Sequence, residues 1–159
     1  MNSSDVKLFI EVFVTLFVIM DPPGTVPIFL ALTSGQSPTA RRRAAWQAVT
    51  VSFIVIVAFA LFGRQLLSYL HISLPALQGA GGLLLLLVAL QLLTGQESEP
   101  GAAQDVNVAM VPLGTPLLAG PGAIVATMVF VEQVDGVPSL VAVAGGVIGV
   151  HIVLWISMQ

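Results

Sequence analysis

Asp21-Pro22-Pro23-Gly24-Thr25 interrupts an apolar run that extends from Leu8 to Thr33. The chemistry available there is polar and electrostatic. Asp21 brings a carboxylate that could hold a cation or a proton. The two prolines and the glycine release backbone groups from helical pairing, and Thr25 adds a hydroxyl. A second interruption, with Pro112, Gly114, Thr115, Pro116, Gly120, Pro121 and Gly122, breaks the apolar run Val108–Val131. Amides at a helix start sit at the positive end of the dipole and attract anionic groups. Carbonyls left unwound before a break attract cations, and paired breaks near a bilayer midplane form the substrate sites of repeat-built transporters. The candidate substrate-binding residues are therefore Asp21, Pro23, Gly24, Thr25, Thr115, Gly120, Pro121 and Gly122. Plainer roles compete with this one. Asp21 followed by Pro22 suits a helix N-cap. The prolines can act as kinks alone, and Thr25, Thr115 and Thr127 can bond their own helix backbone.

Nothing else in the chain points to catalysis, and no enzyme is expected. No nucleophile–base pair, metal-ligand spacing or phosphate loop stands in the sequence. Cysteine is absent, and His71 and His151 are too far apart in sequence to read as a ligand pair, so no metal or cofactor is expected. The net charge is −3 and the basic tract is Arg41-Arg42-Arg43, which argues against a nucleic-acid partner.

The elements that must carry the breaks are membrane spans. The chain is 57% apolar and 8% charged, with a mean hydropathy of +1.01; a soluble domain has about 25% charged residues. Five apolar segments are visible: Leu8–Thr33 (broken), Ala44–Gly63, about Ala76–Leu93, Val108–Val131 (broken) and about Ser139–Met158. A polar loop, Thr94–Asn107, separates the third from the fourth. The lipid bilayer is thus the principal partner. The N-terminus does not read as a cleaved signal peptide, since Asp5 stands beside Lys7, Glu11 interrupts the apolar part and no small-residue cleavage site follows. Asp21 lies about 21 Å along a helix from Lys7, near the middle of a core about 30 Å thick. A carboxylate at that depth is a functional-site hypothesis by default, and non-helical backbone there must be buried in protein or line a wet cavity. Arg41–Arg43, in the loop between the first two spans, put that loop in the cytoplasm and the N-terminus outside.

A shift of 98 residues lays Pro23-Gly24 on Pro121-Gly122 and the second span on the fifth; a competing shift of 90 lays Gly24-Thr25 on Gly114-Thr115. The order of broken, intact, intact and again broken span predicts an all-α polytopic membrane bundle in one transmembrane domain over 1–159. Its two three-span repeats run from about 6 to 93 and from about 106 to 159. Three is odd, so the second copy is inverted, and its last span is missing from this chain. Gly145-xxx-Gly149 fits close helix packing, within the bundle or, as the alternative, at the seam of a homo-oligomer. Glu11 and Glu132 fall near span ends facing water, and Gln91 is placed to bond across helices.

Three stretches carry a resemblance. Phe17–Thr33, centred on Met20-Asp21-Pro22-Pro23-Gly24-Thr25-Val26-Pro27, resembles the first signature of the MarC family of bacterial inner-membrane proteins. Gly81–Leu87 is similar to that family's third span, and Pro112-Leu113-Gly114-Thr115-Pro116-Leu117-Leu118-Ala119-Gly120-Pro121-Gly122-Ala123-Ile124 to its second signature. The resemblance covers essentially the whole chain and implies a six-span protein of the bacterial plasma (inner) membrane, distantly like the LysE-type amino-acid exporters. It supplies no catalytic residue. The function expected is transport or export of a small polar or zwitterionic solute; the alternative is a non-transporting membrane protein with a structural or stress-related role.

Overall fold

The computed structural model describes residues 3–93 and 118–159. These residues form six α-helices and no strand: α1 Ser3–Met20, α2 Pro22–Leu32, α3 Pro38–Tyr69, α4 Leu74–Leu93, α5 Pro121–Glu132 and α6 Val137–Ser157. The loop Thr94–Asn107 and the first part of the fourth apolar segment, Thr115 included, lie outside the described residues. So does the Gln91 side chain.

The helix limits follow local chemistry. Pro22 and Pro23 cannot donate to the preceding turn, so α1 stops at Met20 and α2 starts one residue later. Ser37 accepts from Ala40 N–H at 3.3 Å and Pro38 opens the helix, so α3 begins six residues before the expected Ala44. This corrects one expectation. Arg41–Arg43 stand in the first turns of α3, not in a loop, because a good cap and an N-terminal proline precede them. With 32 residues, α3 is about 48 Å long at 1.5 Å per residue, well beyond the about 30 Å of a bilayer core. Helices α3 and α6 are each long and apolar enough to cross a membrane. At the start of α6, Ser139 Oγ donates to Gly136 O at 2.9 Å and accepts from the N–H groups of Asp135 and Gly136, both at 3.1 Å.

Packing fixes the helix directions. Gly145, Gly146 and Gly149 of α6 meet Phe9, Val12 and Phe13 of α1 in that order, so α1 and α6 run parallel. A Cβ on Gly146 would lie 2.6 Å from Val12 Cγ1 and 3.2 Å from the backbone N of Phe13. The glycine face of α6 is therefore occupied by α1. Helices α3 and α6 run antiparallel: Arg42 Nη2 donates to Gln159 Oε1 at 3.0 Å, Trp46 and Trp155 meet edge-on at 6.0 Å, and Phe53 meets His151 at 5.2 Å. Gly63 admits Met128 of α5 against α3, and Gly81 faces Val125 where α4 meets α5. One core joins these helices, built from Val12, Leu16 and Met20 of α1, Ala45, Ala48 and Ile56 of α3, and Val143, Val147, Val150 and Leu154 of α6.

Candidate functional site

At the first break, Asp21 takes a left-handed conformation, φ 42° and ψ 68°. Asp tolerates this region better than most residues. Its N–H still donates to Phe17 O at 3.1 Å, which completes α1. Its own carbonyl accepts from Gly24 N–H at 3.1 Å and Thr25 N–H at 2.8 Å. Its carboxylate Oδ1 also accepts from Gly24 N–H, at 3.3 Å. Asp21 is thus an N-cap. It needs glycine three residues on, because a Cβ on Gly24 would collide with Oδ2 and lie 3.0 Å from Cγ. Thr25 is buried, and its hydroxyl donates to Met20 O at 2.9 Å, bridging the break from the far side.

The polarity that results differs from the expected one. Pro22 and Pro23 have no N–H, and Gly24 and Thr25 donate to Asp21, so α2 presents no free amide to an anion. The groups that lose a helical partner are acceptors instead. Pro22, Pro23 and Pro27 offer no N–H to the carbonyls four residues back, those of Val18, Ile19 and Pro23. Together with the exposed Asp21 carboxylate they make an acceptor-rich patch. The sequence left Asp21 either buried in protein or lining a wet cavity; its side chain is exposed, with the cap holding it over Gly24.

The second break has the opposite character. Gly120 caps α5 with extended backbone, φ −63° and ψ 162°, and no side-chain cap. Ile124 N–H donates to Gly120 O at 3.2 Å. Among the described residues nothing accepts from the N–H groups of Gly122 and Ala123, and both residues are buried. These two amides stand at the positive end of a 12-residue helix, in its buried first turn. Thr127 plays no part in it, since its hydroxyl donates to Ala123 O at 2.8 Å.

The structure brings Asp21, Gly24 and Thr25 into one turn, with Pro23 between them, and Gly120, Pro121 and Gly122 into another. No hydrogen bond joins the two groups among the described residues; α2 packs on α1 and α6, and α5 packs on those two helices and on α3 and α4. What links the breaks is the core: Met20 and Phe29 beside the first, and Leu118, Ala119 and Ala123 beside the second, belong to one buried cluster.

One polar contact escaped the sequence altogether. Ser52 Oγ lies 3.3 Å from His151 Nε2, and His151 Nδ1 lies 2.7 Å from Val147 O. A carbonyl only accepts, so Nδ1 carries the proton and Nε2 accepts from Ser52. Ser52 is fully buried, so its hydroxyl is spent on this bond and is not presented to a ligand. The signal that existed was the shift of 98, which places Phe53, next to Ser52, on His151.

The pattern that defines the MarC family of integral membrane proteins matches residues 6–159. The chain belongs to the MarC family. A UPF0056 membrane protein of Methanocaldococcus jannaschii is 39% identical over 84% of this chain and 68% of its own length. The UPF0056 membrane protein YvbG of Bacillus subtilis is 32% identical, over 91% of this chain and 72% of its own. YhcE of Escherichia coli, another UPF0056 membrane protein, is 32% identical over 79% and 62%. The chain spans about two thirds of the length of these relatives. No solved structure matches it. Membership makes this an integral membrane protein, which agrees with the apolar helices α3 and α6.

Proposed function

We propose that this MarC-family protein carries a small zwitterionic or polar solute across the bacterial inner membrane, held between the two helix breaks. The observation that carries the proposal is their complementary polarity. Acceptors at Asp21, Val18, Ile19 and Pro23 suit an ammonium or other donor group, and the amides of Gly122 and Ala123, which have no acceptor among the described residues, suit a carboxylate. Residues beside both breaks share one buried cluster.

The inverted repeat belongs to the same proposal. If α1–α4 form one copy and the chain from about 106 the other, α3 and α6 are equivalents. Inverted copies require them antiparallel and direct copies require them parallel; the contacts Arg42–Gln159 and Phe53–His151 support the inverted form. The packing of α2 on α6 is then the counterpart of α5 on α3. The Arg41–Arg43 end of α3 faces the cytoplasm and the N-terminus the outside. No catalysis is assigned to the chain.

The test is flux through proteoliposomes against a panel of amino acids, with and without a pH gradient. Uptake above empty vesicles is expected, with Asp21→Asn keeping the helix cap while reducing flux, because Asn caps as well as Asp but carries no charge. A panel in which no solute moves faster than through empty vesicles would sink the transport reading. Cysteines at Thr25 and Ala123 should be joined by a short bifunctional reagent; failure there and at neighbouring pairs would separate the breaks and remove the site.

A further inference from the structure

A cavity lies away from the breaks, between α3 and α6. It measures about 450 Å³, within the range of small-molecule sites. Its walls are almost wholly apolar: Trp46, Val49 and Phe53 on α3, and His151, Ile152 and Trp155 on α6. Each set follows a helical stripe, and each stripe runs on by one turn to a polar residue at the same end. Arg42 precedes Trp46 by four positions, Gln159 follows Trp155 by four, and the two close the groove with their 3.0 Å hydrogen bond.

Charge decides what fits this shape. Arg42 is exposed and gives one of its five N–H donors to Gln159, which leaves the rest of its planar fork free. Arg41 and Arg43 flank it. The chain as a whole is negative, yet no Asp or Glu occurs from Ser34 to Arg64 or from Ile148 to Gln159. A positive mouth, then paired indoles, then an apolar trough is the order in which a phospholipid presents phosphate, interface and acyl chain. The α1 contact occupies the adjoining glycine face of α6, and among the described residues this one stays open.

We infer that the groove between α3 and α6 seats one anionic phospholipid, its phosphate on Arg42 and an acyl chain along Trp46, Phe53 and Trp155. The inference is independent of transport, since it uses neither helix break. The polar floor is already satisfied: Ser52 and His151 bond each other, so the trough offers an acyl chain no unmatched group.

Both tryptophans of the chain line this groove, so their fluorescence reads its occupancy directly. The experiment reconstitutes the 159-residue protein in vesicles carrying increasing fractions of phosphatidylglycerol with brominated acyl chains. A parallel series uses brominated phosphatidylcholine, with unbrominated phosphatidylcholine as the background in both. Half-maximal quenching is expected at about a fivefold lower fraction of phosphatidylglycerol, the factor that one basic side chain near a membrane surface supplies. Arg42→Gln should abolish that preference while leaving the helical circular dichroism unchanged, because Arg42 is exposed. Equal quenching by both lipids would reduce the groove to ordinary lipid contact and overturn the inference. Absence of quenching by either would mean that protein, such as a second copy, fills it. A preference that survives Arg42→Gln would remove Arg42 as the phosphate seat and overturn the assignment as stated.

Discussion

Replacing Gly146 by alanine should force α1 away from α6. The added Cβ would sit 2.6 Å from Val12 Cγ1, whereas ordinary contact begins at 3.4 Å, a shortfall of 0.8 Å. Val12 is fully buried, and the backbone N of Phe13 at 3.2 Å closes the other side, so relief requires movement of the helix and not just a rotamer change. Overpacking of this kind costs about 1–3 kcal/mol, and involvement of the backbone places Gly146 in the upper half of that range. Alanine returns about 1 kcal/mol through helix propensity. The net loss is about 1–2 kcal/mol, or about 2–8 °C in melting temperature for a chain of this size. Gly82→Ala supplies the control. It gains the same propensity on α4, where nothing lies within 4 Å, and should raise the melting temperature slightly. The assay is thermal unfolding in a mild detergent, followed by circular dichroism. If Gly146→Ala melts no lower than Gly82→Ala, the close α1–α6 crossing does not exist and the parallel arrangement of those helices loses its main support.

Ser52→Ala should destabilise by about 1–3 kcal/mol because it leaves His151 Nε2 buried without a donor. Pairing it with His151→Phe should recover most of that loss, and a simple sum of the two single effects in chemical denaturation would refute the coupling. Asp21→Ala should cost about 1 kcal/mol through loss of the α2 cap, and Asp21→Asn much less. Gly24→Ala should be worse than either, since its Cβ collides with the capping carboxylate; combining Gly24→Ala with Asp21→Ala should relieve that part, as detergent melting curves will show. Cysteines at positions 42 and 159 should crosslink through a bifunctional reagent, and those at 42 and 137 should not, because α6 runs about 30 Å between its ends. The reverse pattern would make α3 and α6 parallel and rule out inversion of the repeat.

The sequence by itself determined the helical class, the membrane setting and the place of the first break. Each rests on local chemistry. Prolines at 22 and 23 remove donors wherever the helix goes, and Asp21 caps through a bond to a residue only three positions away. The same locality explains why the Thr127 hydroxyl returns to its own helix, one of the two readings expected, while that of Thr25 reaches back across the break to Met20. The start of α3 was legible too, in Ser37-Pro38, but apolarity was the wrong ruler for it. Capping sets where a helix begins, and three arginines extend one as readily as apolar residues do.

Tertiary structure alone decided the rest. Whether α3 and α6 run parallel or antiparallel depends on contacts between residues about a hundred positions apart, such as Ser52 with His151. No local propensity encodes that direction. The glycine motif of α6 was expected to pack within the bundle, with a seam between copies as the alternative, but it does not say which helix it receives. Only the arrival of Phe9, Val12 and Phe13 fixed the choice, because small residues license close approach without naming the partner. Polarity at the breaks was decided in the same way. A sequence shows that backbone groups are released, but which are then re-paired depends on the turn the chain takes. At Asp21 a left-handed turn uses up the donors and leaves carbonyls, whereas at Gly120 an extended cap leaves the amides of Gly122 and Ala123 without an acceptor among the described residues.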